Sequence, residues 1–170
     1  MILEQRAEIK FSLAPGNEIM LATAQGVFAP TGTTNLLLKA VKKAITGTNS
    51  LLDLGCGTGV VGLALHLEGL VNPPLYASDL SESAVICSRE NFVRYSCPAD
   101  VRVGSLFEPW SGERFDVIVD DISGVAQDVA AVSPWFKGVP CETGKDGVDL
   151  VVKILRDAPS HLADQGRFES

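Results

Sequence analysis

Apolar and polar positions change their period several times along this chain. Residues 1–28 hold two short apolar runs separated by Ala14-Pro15-Gly16-Asn17, a turn signal that predicts a hairpin or a cap. From Thr33 the spacing becomes helical, with Leu36, Leu37, Ala40, Val41 and Ala44 behind Thr33 and Thr34 as N-cap residues, so a helix is expected to about Ile45. Short apolar strands and helices then alternate. Leu51–Leu54 reads as a strand and Val60–Leu67 as a buried helix. Leu75–Ser78 is a second strand, stopped by Asp79 and followed by a helix from Ser81. Val101–Val103 and Phe115–Val119 are a third and a fourth. Val148, Val151, Val152 and Leu155 recur at helical spacing within residues 146–155, and Gly166–Ser170 reads as the turn into a fifth strand.

This alternation predicts βαβ crossovers: an α/β fold with a doubly wound, mostly parallel sheet in three α/β/α layers. The lead-in, residues 1–32, is expected to cap a domain spanning 33–170. Such sheets usually carry more strands than can be placed here, so C-terminal strands are expected to be lacking, with the sheet completed by further sequence or by another copy in a homo-oligomer.

Composition narrows the classes. The chain has 170 residues, 46% apolar and 21% charged, which is enough for one packed domain and unlike a disordered tail. Fourteen basic against 21 acidic residues give a net charge of −7, which favours a protein or small-molecule partner over nucleic acid. Cys56, Cys87, Cys97 and Cys141 form no C-x-x-C pair, so neither a zinc site nor a disulfide framework is expected. The opening MILEQRAEIK is no leader, and no long apolar run follows; a cytoplasmic protein without a membrane partner is expected.

The candidate chemistry lies in Asp53-Leu54-Gly55-Cys56-Gly57-Thr58-Gly59, which joins the first predicted strand of the sheet to the next helix. Alternate glycines let the backbone turn sharply and approach a ligand. Gly57-Thr58-Gly59-Val60-Val61-Gly62 also fits the dinucleotide fingerprint, and Asp79 lies where ribose hydroxyls would be bound under either reading. Asp53 separates the two. Its carboxylate would repel a pyrophosphate but suits the ammonium of S-adenosylmethionine.

The string LLDLGCGTGVVGLAL resembles motif I of class I S-adenosylmethionine-dependent methyltransferases, which implies a Rossmann-like fold and S-adenosyl-L-methionine as cofactor. By that resemblance Asp53, Gly55 and Gly57 line the methionine side, with Cys56 and Gly59 in the same loop. Asp79 binds the ribose beside Leu80, and Ser105, next to Leu106, stands where the family often has an acid contacting adenine. Two further stretches are similar to the protein-glutamine N5-methyltransferases and their ribosomal-RNA guanine N2 relatives. Phe28-Ala29-Pro30-Thr31-Gly32-Thr33-Thr34 looks like their F-x-P-x-x-x-T entry, and Gly144–Leu150 like their G-x-D-G-L-D-L segment. Phe28, Pro30 and Ser123 are then expected to touch the methyl acceptor.

The catalytic N-P-P-Y of those families is replaced by Val119-Asp120-Asp121-Ile122-Ser123-Gly124, with Asp121 in the place of the Asn. Both prolines and the aromatic ring are gone. Three readings stand: Asp120 or Asp121 is a general base for a different nucleophile; Asp121 alone serves the planar-amine chemistry; or the chain is a non-catalytic S-adenosylmethionine-binding or scaffold module. An NAD-linked oxidoreductase is a weaker rival. Trp135-Phe136 is expected to cover the sheet edge or stack on substrate, Glu142 to lie near the cleft, and His66 and His161 to be structural.

Overall fold

The computed structural model describes residues 6–45, 50–122, 125–136, 139 and 143–170. Its lead-in is a hairpin, β1 (Arg6–Ala14) antiparallel to β2 (Asn17–Ala24). Alternate residues Phe11, Ile19 and Leu21 are buried, and β2 packs on the helix α3 defined below. Asn91 of that helix is buried and exchanges hydrogen bonds with the backbone of Ala22, so the hairpin is seated by polar as well as apolar contacts.

The helix α1 (Gly32–Ala44) starts earlier than its hydroxyls suggested. Thr31, not Thr33 or Thr34, is the N-cap, and Thr34 closes a capping box by accepting the Thr31 amide. A threonine at the third helical position fills the role usually given to Glu or Gln, because its hydroxyl reaches the same orphan donor.

Beyond α1 the chain alternates: β3 (Leu51–Leu54), α2 (Val60–Leu67), β4 (Leu75–Asp79), α3 (Glu82–Arg94) and β5 (Ala99–Val103). Then follow β6 (Phe115–Asp120), α4 (Gln127–Val132), α5 (Asp149–His161) and β7 (Leu162–Glu169). The sheet order is β5-β4-β3-β6-β7, and all four pairings are parallel. The right-handed crossover preference of βαβ units puts helices on both faces of such a sheet.

The period-two alternation of β3 divides the core. Leu52 and Leu54 face Trp110, Phe115, Ile118 and the α5 residues Ile154 and Ala158. Leu51 faces the opposite layer, where Val60, Val61, Leu63 and Leu65 of α2 join Val85 and Phe92 of α3 and the hairpin. Each fully buried leucine contributes about 2 kcal/mol of burial.

The fifth strand of the sheet is longer than Gly166–Ser170 suggested. It begins directly after α5 and is broken by an irregularity that carries the pairing from Phe115↔Leu162 to Val117↔Arg167. Gln165 at φ +69° makes that break, and a Cβ on Gly166 would lie 2.9 Å from two carbonyl oxygens. Among the described residues no helix is long and apolar enough to cross a membrane.

Candidate functional site

The carboxyl ends of β3, β4 and β6 converge on the loop Gly55–Gly59, which leads into α2. Gly55, Gly57 and Gly59 all have left-handed φ, between +53° and +76°. A Cβ on Gly55 would lie 2.5 Å from Ile122 Cγ1, and one on Gly59 would lie 2.9 Å from the Phe92 ring. Glycine is required here both for the turn and for the close approach of the loop after β6.

A cavity of about 470 Å³ opens in front of this loop. Gly55 and Gly57 form one wall, Asp79, Leu80, Ser105 and Leu106 another, and Phe28 with Asp121 the end nearer α1. A small chamber of about 30 Å³ lies behind, lined by Phe28, Pro30, Thr34, Asp53, Cys56 and Asp121 among others. Eight residues expected from the sequence thus meet at the large cavity, and Asp53, Cys56 and Pro30 reach only the small one. Gly59 and Asp120 line neither. Ser123 and Glu142 fall outside the described residues, as does the side chain of Trp135.

Asp79 holds the tip of β4 against the glycine turn. Its Oδ2 accepts the Gly57 amide at 2.9 Å and its Oδ1 accepts the Ser81 amide at 2.8 Å. Burial raises its pKa, opposed by those amides. Asp53 is 1% exposed. Its Oδ2 accepts the Gly62 amide at 3.3 Å, whereas Oδ1 and the buried Thr58 hydroxyl have no partner among the described residues. Burial, with the nearby carboxylates Asp121, Asp79 and Asp120, pushes the Asp53 carboxyl up to about 8.

Beyond β6 the adjacent aspartates part. Asp120 Oδ1 accepts the Ile122 amide at 2.8 Å and the side chain also bonds Ser170, so this residue shapes the turn after the strand; burial pushes it up to about 7. Asp121 lines both cavities, and its Oδ2 accepts the Thr34 hydroxyl at 2.9 Å. Burial raises it as well, with Thr34 opposing.

The outer wall brings residues the sequence did not single out, Ile122, Val125, Val139 and Leu150, beside Phe136, which it did and whose ring lies 5.4 Å from Phe28. The Thr143 hydroxyl donates to the Val125 carbonyl and ties this wall together. His66 lies against Val71, and His161 stacks on Phe107, both away from the cavity walls. Trp110 is buried beneath Arg102 and donates to Ser78.

No lysine, arginine or histidine is among the described residues lining either cavity, while Asp53, Asp79 and Asp121 are. A partly apolar cavity with Asp79 in one wall and Asp121 at another fits a ligand that carries positive charge and hydroxyl groups. Among the described residues the buried Asp53 Oδ1 and Thr58 hydroxyl, behind the glycine turn, have no hydrogen-bond partner, so the small chamber is polar on that side.

Comparison with known proteins agrees with this geometry. Residues 18–121 match the family model described as the methyltransferase small domain. The ribosomal protein L11 methyltransferase of Staphylococcus saprophyticus is 30% identical over 131 residues, covering 69% of this chain and 41% of that protein. The ribosomal protein uL3 glutamine methyltransferase of Xanthomonas campestris is 33% identical over 122 residues, covering 68% and 39%. The chain therefore spans about two-fifths of the length of these relatives. Among solved structures, a T. thermophilus 16S rRNA N2 G1207 methyltransferase in complex with AdoMet and guanosine superposes with a TM-score of 0.71 at 19% identity, over 96% of this chain and 41% of that one. The shared fold is a parallel sheet flanked by helices, as in Rossmann-like methyltransferases.

Proposed function

The chain belongs to the methyltransferase small domain family, whose cofactor is S-adenosyl-L-methionine, and on that premise we propose that it transfers a methyl group to a protein side chain or a small molecule. The observation that carries this reading is the row of carboxylates, Asp53, Asp79 and Asp121, along cavities with no described cationic side chain.

When bound, S-adenosyl-L-methionine supplies an electrophilic methyl on a positively charged sulfur that departs as a neutral thioether. Asp79 would accept the ribose hydroxyls, and Leu80 and Leu106 would give the adenine an apolar surface, with the Ser105 hydroxyl available to it. Asp53 would act on the methionine ammonium from behind the glycine turn; a nearby cation lowers a carboxyl pKa, so its charge would favour the ionised form of the acid that burial leaves protonated. Phe28, Ile122 and Phe136 exclude water from the acceptor end, with Pro30 behind them in the small chamber. Asp121 accepts the proton that the nucleophile must shed, and Asp120 fixes the turn that presents it.

The names of the relatives support a macromolecular acceptor, and the charge of −7 favours protein over RNA. Incubation with methyl-labelled S-adenosyl-L-methionine and separated ribosomal proteins, ribosomal RNA and amine metabolites tests this. Label in the protein or metabolite fraction is expected; label confined to RNA would overturn the acceptor assignment. The loss of N-P-P-Y favours a second reading, a non-catalytic S-adenosyl-L-methionine-binding module, which predicts binding with no label transferred to any fraction.

A further inference from the structure

Thr34 lies 87 residues from Asp121 in sequence, yet the two side chains meet at 2.9 Å. Thr34 is 1% exposed, so the hydroxyl end of this contact is buried, while half-buried Asp121 faces the cavities. Its hydroxyl has one proton and two lone pairs. The Thr31 amide occupies a lone pair at 3.2 Å as part of the α1 capping box, which leaves the proton for Asp121 Oδ2. The direction of the bond is thereby set by the helix terminus. A donor fixed in this way favours the ionised carboxylate and holds its plane.

We infer that Thr34 is a positioning residue for the acceptor end of the site: its hydroxyl, oriented by the N-terminus of α1, fixes one oxygen of Asp121 and keeps the other ready to accept a proton from the nucleophile. The inference rests on the reading of Asp121 as that proton acceptor. It gives the α1 entry a chemical role in addition to its packing role, because the Phe28–Thr34 segment supplies both an apolar wall and the donor that holds the carboxylate.

The carboxylates coupled to Asp121 are Asp53 from β3 and its neighbour Asp120 at the end of β6, and like charge at either disfavours its ionisation. Thr34 is the side-chain donor that opposes burial of Asp121.

The test is the titration of the Asp121 carboxyl by carbon-13 NMR in protein saturated with S-adenosylhomocysteine. Thr34→Val, which keeps the shape and removes the hydroxyl, is expected to raise the midpoint by about one pH unit, and Thr34→Ala to do the same. Thr34→Ser is expected to keep the wild-type midpoint. An unchanged midpoint in a folded Val or Ala variant, or a raised one in the Ser variant, would overturn the inference; the Ser arm decides even where the Val variant does not fold. Failure of the underlying reading has another signature: Asp121→Asn would leave methyl transfer intact, while the protein that keeps Asp121 would still show the Thr34-dependent titration.

Discussion

Asp79 Oδ2 accepts the Gly57 amide at 2.9 Å, so the end of β4 and the glycine turn after β3 form one hydrogen-bonded unit. The second oxygen of the same carboxylate holds the Ser81 amide and with it the start of α3. A single side chain thereby sets the relative position of two walls of the large cavity.

Asp79→Ala removes both functions. Affinity for S-adenosyl-L-methionine is expected to fall about ten- to a hundredfold, the scale of hydrogen bonds to a charged group, measured by calorimetry. Unchanged affinity would remove Asp79 from the ribose site.

Gly55 has no room for a side chain. Gly55→Ala places a methyl 2.5 Å from Ile122 Cγ1 at a φ of +66°. Thermal unfolding is expected to show a loss of about 1–3 kcal/mol, with cofactor binding weakened because the loop and the turn after β6 must separate. Retention of both would contradict the close approach of the two loops.

Burial holds Asp53 up to about 8 and Asp120 up to about 7, well above the unfolded value near 3.8. A carboxyl with a raised folded-state pKa contributes stability that is full below its unfolded pKa and is lost as pH rises through the folded one. The ligand-free protein should therefore lose stability between about pH 4 and 8, by up to about 1.4 kcal/mol per pH unit for each such group. Differential scanning calorimetry across that range checks this, and Asp53→Asn should flatten the slope. Cofactor binding at pH 7 should release protons, seen as a dependence of binding heat on the ionisation enthalpy of the buffer. A flat stability profile together with buffer-independent heats would contradict the buried-acid account.

Asp121→Ala is expected to abolish turnover while cofactor affinity stays within about threefold, because Asp121 meets the acceptor and not the nucleoside. Steady-state kinetics with the acceptor found by label transfer separates the two effects. Retained turnover would move the proton to another group.

Strands β3 to β6 and the helices between them were legible because their apolar periods change cleanly at Gly55, Asp79 and Gly104, and local signals suffice for that. The glycine turn and Asp79 were legible for the same reason: loop chemistry there is set by neighbours in sequence. The start of α1 was misplaced because three threonines in four positions each offer a cap, and only the tertiary partner of Thr34 decides among them. Likewise Val125, Val139 and Leu150 join the cavity through a wall folded back from a segment without strong periodicity. β7 was read too short because Gly166 signals a turn, whereas here it is a break inside a strand.

The central claim is that the cavity between Asp79 and Asp121 holds S-adenosyl-L-methionine. Calorimetric titration with S-adenosylhomocysteine, alongside NADH, measures it directly. One saturable site for the former and no heat from the latter is the predicted result; saturable binding of NADH alone, or of neither, would contradict it.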